Sequence, residues 1–191
     1  VSTATARFTI RQYDQRIEAG VFDPPNPRHF ELIHGEIRPM SPIGFRHENG
    51  VDSLIYWSRQ SLDASLMRVR IQQSIGLPAL ESVPQPDVAW VARKKYLDRP
   101  EASDVLLVIE VSDSTLHFDQ TEKATIYAEA AIPDYWIVNI PDESIEVRRD
   151  PSPTGYRTTT TYRSGQQVHP RNFPSLKLNV EELFAEISDQ P

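Results

Sequence analysis

The stretch Val105-Leu106-Leu107-Val108-Ile109-Glu110-Val111-Ser112 decides how this chain folds. Its aliphatic residues follow one another without alternation, the pattern of a strand covered on both faces at the centre of a sheet. Val105 to Ile109 is also the longest purely aliphatic run in the chain, far too short to cross a bilayer. Glu110 closes that run. A lone ionised carboxylate is costly to bury there, so a cation, a buried Lys or Arg, protonation, or a solvated strand end must accompany it.

Upstream, Val88 to Val91 reads as a second strand entered through Pro84-Gln85-Pro86-Asp87. Pro86 holds the backbone before it extended and so sets the direction of Asp87, although Asp after Pro is equally an ordinary turn residue. Asp87 and Glu110 lie 23 residues apart. At the ends of adjacent strands, two such carboxylates could share one hard cation through their oxygens. Downstream, Asp119 followed by Glu122 has the form of a capping box opening a helix. The expected face of that helix is Thr121, Ala124, Tyr127, Ala128 and Ala131, ending before Pro133. Lys123 falls in its first turn, where the helix dipole gives a cation nothing, so it serves either a site or a local pair with Asp119 or Glu122.

The rest of the chain supplies the frame. A short helix over Phe8 to Ala19 is broken by Asp23-Pro24-Pro25-Asn26-Pro27. Phe30 to Ile33 and Glu36 to Met40 form a hairpin around His34-Gly35. Ser41-Pro42 starts a helix whose stripe is Val51, Leu54, Ile55, Ser58 and Leu62, with His47 one turn ahead of it. Arg68 to Leu77 reads as a half-buried strand in which Val69, Ile71, Ile75 and Leu77 share a face with Gln73 as a polar intruder. Tyr135 to Ile140 and Ile145 to Arg149 pair around Pro141-Asp142, strands return over Thr158 to Tyr162, and Asn179 caps a closing helix to Ile187. This order gives an α/β sandwich with a mixed sheet flanked by helices. The length of 191 residues fits one domain, 1–191, with 1–27 as N-terminal helix and proline-rich loop and 28–187 as core.

Composition narrows the function. Hydrophobic residues at 39% and charged residues at 25% are the balance of a globular protein. The absence of cysteine excludes disulfides and thiolate zinc sites, and with no basic-then-apolar leader the expectation is a cytoplasmic protein with no membrane role. A formal charge of −7 argues against a constitutive high-affinity nucleic-acid binder. It leaves room for a nuclease whose basic groups are few and local, such as Arg68, Arg70, Arg93, Lys94 and Lys95. No HExxH pair, GxSxG elbow or glycine-rich phosphate loop is present, which removes zinc-hydrolase, serine-hydrolase and P-loop readings.

Several segments together carry a resemblance: Phe30-Glu31-Leu32-Ile33-His34-Gly35-Glu36, Pro86-Asp87-Val88-Ala89, Leu107 to Ser112, Lys123 with Tyr127, Ile132-Pro133-Asp134-Tyr135-Trp136, and the closing Phe173 to Leu178 with Leu183-Phe184. In this order and spacing the chain resembles, over nearly its whole length, the Uma-type family read as restriction endonucleases of the PD-(D/E)XK superfamily. The resemblance implies the restriction-endonuclease-like fold and a Mg²⁺ or Mn²⁺ site formed by Asp87, Glu110 and the carbonyl of Val111. Pro86-Asp87 matches the PD element and Glu110-Val111-Ser112 matches (D/E)XK. Ser112 stands where the superfamily has lysine; the resemblance implies that Lys123, from the next helix, replaces it as the third catalytic residue.

Glu31 and His47 also match positions common in the family. By alternation Glu31 points away from Phe30 and Leu32, as a solvated charge or a site residue. His47, on the buried stripe, is a hydrogen-bonded core histidine or a site group, and Gln73 positions substrate or satisfies backbone. Tyr127 is expected to pack. The reading is metal-assisted phosphodiester hydrolysis, with DNA as substrate by analogy and a homodimer as the form that cuts both strands. The rival, favoured by Ser112 and the acidic balance, is an inert nuclease fold that binds nucleic acid or protein.

Overall fold

The computed structural model describes residues 6–22 and 30–188, so the Asp23-to-Pro27 break lies outside the described residues. Six strands form one mixed sheet in the order β3-β4-β5-β6-β7-β8. They are β3 (Met67–Ile71), β4 (Val88–Ala92), β5 (Val105–Ser112), β6 (Asp134–Asn139), β7 (Ser144–Ser152) and β8 (Gly155–Tyr162). β5 lies inside this sheet, antiparallel to β4 and parallel to β6. It is buried at all positions but one, as its unbroken apolar run requires. A parallel neighbour needs a crossover, and the helical segment between β5 and β6 supplies it.

Each sheet face has its own core. On one, Val88, Trp90, Leu107, Ile109 and Val111 pack beneath helix α2 (Phe45–Ser61) and helix α5 (Val180–Ser188). On the other, Ala89, Val91, Val108, Tyr135 and Ile137 pack beneath helix α4 (Ala124–Glu129). The alternation within β4 and β5 thus puts Glu110 on the α4 side. Gly50 lets α2 approach closely: a Cβ there would sit 3.0 Å from Val111 Cγ1 and 3.3 Å from Ile187 Cδ1. Asn179 caps α5, its Oδ1 accepting from the Glu181 N–H at 3.0 Å.

The remaining pieces border the sheet. Helix α1 (Ile10–Glu18) starts at Thr9, which forms a capping box with Gln12. The hairpin of β1 (Phe30–Ile33) and β2 (Glu36–Pro39) turns through His34 and Gly35, both at positive φ. Leu32 also bridges Val83 outside the main sheet. A short pair, β9 (Gln167–Val168) and β10 (Leu178–Asn179), leads into α5. Among the described residues no helix is long and apolar enough to cross a membrane.

Four expectations need correction. Helix α2 begins at Phe45 after an extended Gly44, because Pro42 disfavours helical backbone at Ser41 and residues 41–44 run irregularly. The strand expected over Arg68 to Leu77 stops at Ile71: Gln72 takes φ 48°, so Val69 and Ile71 pack on one face of the sheet while Ile75 and Leu77 pack on the other. Gln73 is consequently exposed and faces no core. Asp119 opens no helix; α3 (Leu116–Phe118) leads into a π-helical turn (Asp119–Lys123) that continues into α4, leaving Thr121 and Ala131 exposed.

Candidate metal centre and nuclease cleft

The site lies where β4 begins and β5 runs on past it. Val88 pairs with Ile109, so Glu110, Val111 and Ser112 extend beyond the end of β4. The Val111 N–H has no partner on β4 and donates instead to Asp87 Oδ2 at 2.8 Å. His47, reaching over from α2, meets the same oxygen at 3.0 Å, and the Asp87 N–H donates to Glu110 Oε2 at 3.3 Å. Burial works to raise the Asp87 carboxyl, but the His47 hydrogen bond and charge, with Lys123 and the Val111 N–H, outweigh it and hold Asp87 below the usual carboxylate range. His47 moves the other way: burial opposes its charged form, Asp87 outweighs that, and its pKa rises above 6.5.

Glu110 is 2% exposed and fully engaged at one oxygen. Its Oε1 accepts from the Lys123 ammonium at 3.0 Å and from the Tyr127 phenol at 2.7 Å. Lys123 also lies 3.3 Å from Glu31 Oε1, an oxygen that accepts the Gln85 N–H at 2.6 Å. Glu31 is therefore no solvated charge; the β1–β2 hairpin carries it into the site at 3% exposure. Burial pushes the Glu110 carboxyl well above its usual range; Lys123 opposes the shift, and Asp87, Asp119 and Glu31 add to it. Burial likewise disfavours the Lys123 ammonium, yet Glu110, Glu31, Asp119 and Asp87 together raise its pKa well above that of an ordinary lysine.

The π turn explains how Lys123 arrives. Such turns recur at functional sites because the extra residue re-aims side chains. Asp119 points inward and accepts from Ser112 Oγ at 2.7 Å and Thr115 Oγ1 at 2.6 Å, while the Tyr135 phenol takes the Asp119 carbonyl at 2.9 Å. Burial raises the Asp119 carboxyl, with Lys123 and the two hydroxyls opposing. Ser112 thus braces Asp119 from the place a lysine would hold.

Four carboxylates of this cluster, Glu31, Asp87, Glu110 and Asp119, are at most 6% exposed, against Lys123 at 5% and His47 at 8%. With all four ionised, the cluster would carry two negative charges in excess even with His47 protonated, which a dication would balance; in the cation-free protein burial meets part of that excess by raising the Glu110 and Asp119 carboxyls. A cleft of about 530 Å³ opens onto it, lined by Glu31, His47, Asp87, Glu110, Val111 and Lys123 beneath a rim that includes Arg38, Ile43 and Phe118. Among the described residues no three His, Asp or Glu side chains converge as a ready-made metal cage. The donors offered, two adjacent carboxylates with a backbone carbonyl, nonetheless fit Mg²⁺, which keeps several waters and needs only one or two carboxylates.

Asp87, Glu110, Val111, Lys123, Glu31 and His47 meet in this cleft, with Ser112 just behind it. Gln73 does not join them; its neighbour Gln72 does, with Nε2 at 3.5 Å from Asp87 Oδ1, because the positive φ of Gln72 turns the chain. Arg68, Arg70, Arg93, Lys94 and Lys95 stand off the cleft, and among the described residues Arg38 is the arginine on its rim. Two further groups belong to the site: Asp119, whose spacing to Glu122 imitates a cap, and the hydroxyl of Tyr127, whose i+4 spacing from Lys123 is its one sequence signal.

No curated protein matches the chain. A crystal structure described as "a putative nuclease belonging to DUF820", from Anabaena variabilis, shares the fold at TM-score 0.73 and 14% identity, covering 94% of this chain and 99% of that one. The Uma2 family, described as "Putative restriction endonuclease", matches residues 11–181, and the chain belongs to it.

Proposed function

We propose that this protein is a metal-dependent nuclease that hydrolyses phosphodiester bonds, with DNA as its substrate. The observation that carries this reading is the gathering of four buried carboxylates, Glu31, Asp87, Glu110 and Asp119, around a single lysine at the floor of an open cleft. Asp87 and Glu110 would hold Mg²⁺ or Mn²⁺, joined by the Val111 carbonyl, which in a strand points to the same edge as the N–H that Asp87 accepts. When bound, the ion supplies Lewis-acid polarisation of the phosphate and a lowered pKa for water.

The protein's own groups divide the remaining work. Lys123 has three N–H donors, two committed to Glu110 and Glu31, and the third is left to orient the attacking water or meet charge developing on the pentavalent phosphate. Glu31 keeps that ammonium at the cleft. His47 fixes the Asp87 carboxylate, and Arg38 at the rim meets a phosphate of the incoming strand. Cutting both strands of a duplex calls for a homodimer.

The test is incubation of supercoiled and single-stranded DNA with Mg²⁺ or Mn²⁺, using wild type and Asp87→Ala. Nicking by wild type that disappears both in EDTA and in the variant is the expected result. Cleavage surviving in Asp87→Ala contradicts the assignment, and tight DNA binding without cutting in either metal selects an inert binding module instead.

A further inference from the structure

Among the described residues, the two carboxylates each present one open oxygen and one that is spoken for. On Asp87, Oδ2 is taken by His47 and the Val111 N–H, while Oδ1 receives only Gln72 Nε2 at 3.5 Å. On Glu110, Oε1 is taken by Tyr127 at 2.7 Å and Lys123 at 3.0 Å, while Oε2 receives only the Asp87 N–H at 3.3 Å. An oxygen accepting two donors has both its lone pairs engaged, and ligating a metal would mean giving one up.

Tyr127 is the less expected member of this set. Its ring is fully buried and packs edge-on against Tyr135 at 5.0 Å between centroids. A phenylalanine would fill the same space, so packing alone does not call for the hydroxyl, whose burial demands a partner. Glu110 is that partner, and burial with the nearby carboxylates keeps the phenol protonated as a donor at all ordinary pH.

We propose that Tyr127 is a positioning residue that sets how Glu110 meets a divalent cation. Together with Lys123 it fills both acceptor positions of Oε1 and leaves Oε2 alone to ligate. The inference rests on Asp87 and Glu110 being the cation site and goes on to its selectivity. Two one-oxygen carboxylates with waters completing the shell suit a small octahedral ion such as Mg²⁺. A larger ion such as Ca²⁺, which takes more oxygens and often a bidentate carboxylate, is disfavoured.

The experiment titrates Mg²⁺ and Ca²⁺ separately into metal-free protein and reads the midpoint of the melting-temperature rise for wild type and Tyr127→Phe. Wild type is expected to respond at lower Mg²⁺ than Ca²⁺. Tyr127→Phe, keeping the ring and opening one acceptor position of Oε1 beside Lys123, is expected to shift that preference toward Ca²⁺ by about tenfold, the usual scale for partners of metal ligands. A variant that melts lower but keeps the wild-type ratio overturns the inference, since the hydroxyl is then only structural. Should the variant not fold, the wild-type pair decides: Ca²⁺ bound as readily as Mg²⁺ overturns this inference and spares the metal site. A wild type whose melting responds to neither ion overturns both.

Discussion

Replacing Lys123 by methionine removes the one ammonium buried among the site's carboxylates while keeping a side chain of similar length and apolar stem. In the folded protein this leaves Glu110, at 2% exposure, and Glu31, at 3%, without their cation. Breaking a buried ion pair from one side costs about 3–5 kcal/mol, because the abandoned charge stays desolvated. For a chain of this size each kcal/mol moves the midpoint by about 2–4 °C, so Lys123→Met should melt roughly 6–20 °C below wild type. The cost depends on pH with a definite sign. Without Lys123 the Glu110 carboxyl rises still further above its ordinary 4.5. A carboxyl raised on folding gives stability below its unfolded pKa and loses it as pH climbs through the folded value. The defect should therefore be smallest near about pH 4.5 and grow toward pH 8. Glu110→Gln in the same chain removes the charge that Lys123→Met exposes, so the double variant should recover much of the loss as a positive coupling. The assay is thermal or urea denaturation of metal-free protein across that range. A Lys123→Met protein that melts within about 2 °C of wild type at pH 8, or a double variant less stable than the single, refutes the reasoning.

Other consequences follow from single contacts. Asp87→Asn keeps the side chain's shape but weakens its charge-based hold on a dication, and should reduce metal-dependent nicking of supercoiled plasmid to the level seen in EDTA. In cation-free protein the His47–Asp87 pair contributes fully between the ordinary aspartate value of 3.8 and the ordinary histidine value of 6.5; it fades as pH falls toward the lowered Asp87 pKa and as pH rises through the raised His47 pKa. The stability gap between wild type and His47→Gln, read by urea denaturation, should thus be larger at about pH 6 than at about pH 9. Arg38→Ala should weaken DNA binding about equally across sequences and lower the slope of log affinity against log salt by about one unit. Gly50→Ala gains about 1 kcal/mol of helix propensity but forces a methyl against Val111 and Ile187, where overpacking costs about 1–3 kcal/mol. It should destabilise the protein modestly in a melting assay.

Much of this arrangement was legible where local rules and burial agree. The aliphatic run of β5 declared a central strand, Pro86 placed Asp87 at the start of its neighbour, and His34-Gly35 and Asn179 marked a turn and a cap that the structure contains. The site was harder where a side chain's setting depends on a distant segment. Alternation sends Glu31 away from Leu32, which on a free hairpin means solvent; the hairpin instead leans on the Val83–Gln85 segment and Lys123, so both its faces are covered. While the strand is assumed to continue, period two turns Gln73 inward and Gln72 outward; the positive φ at Gln72 ends the strand there and brings Gln72 to Asp87 instead. The π turn at Asp119 has no simple periodic signature, so the spacing to Glu122 imitated a cap that the folded chain does not use. Ser112 read as the loss of a lysine, whereas its hydroxyl supports Asp119.

Cation binding by Asp87 and Glu110 as one site is open to direct measurement. Calorimetric titration of Mn²⁺ into metal-free wild type and Glu110→Ala, with melting curves to confirm that both are folded, addresses this most directly. The expected result is saturable binding by wild type and an affinity lower by at least about tenfold in the variant. Equal affinity in two folded proteins would contradict it.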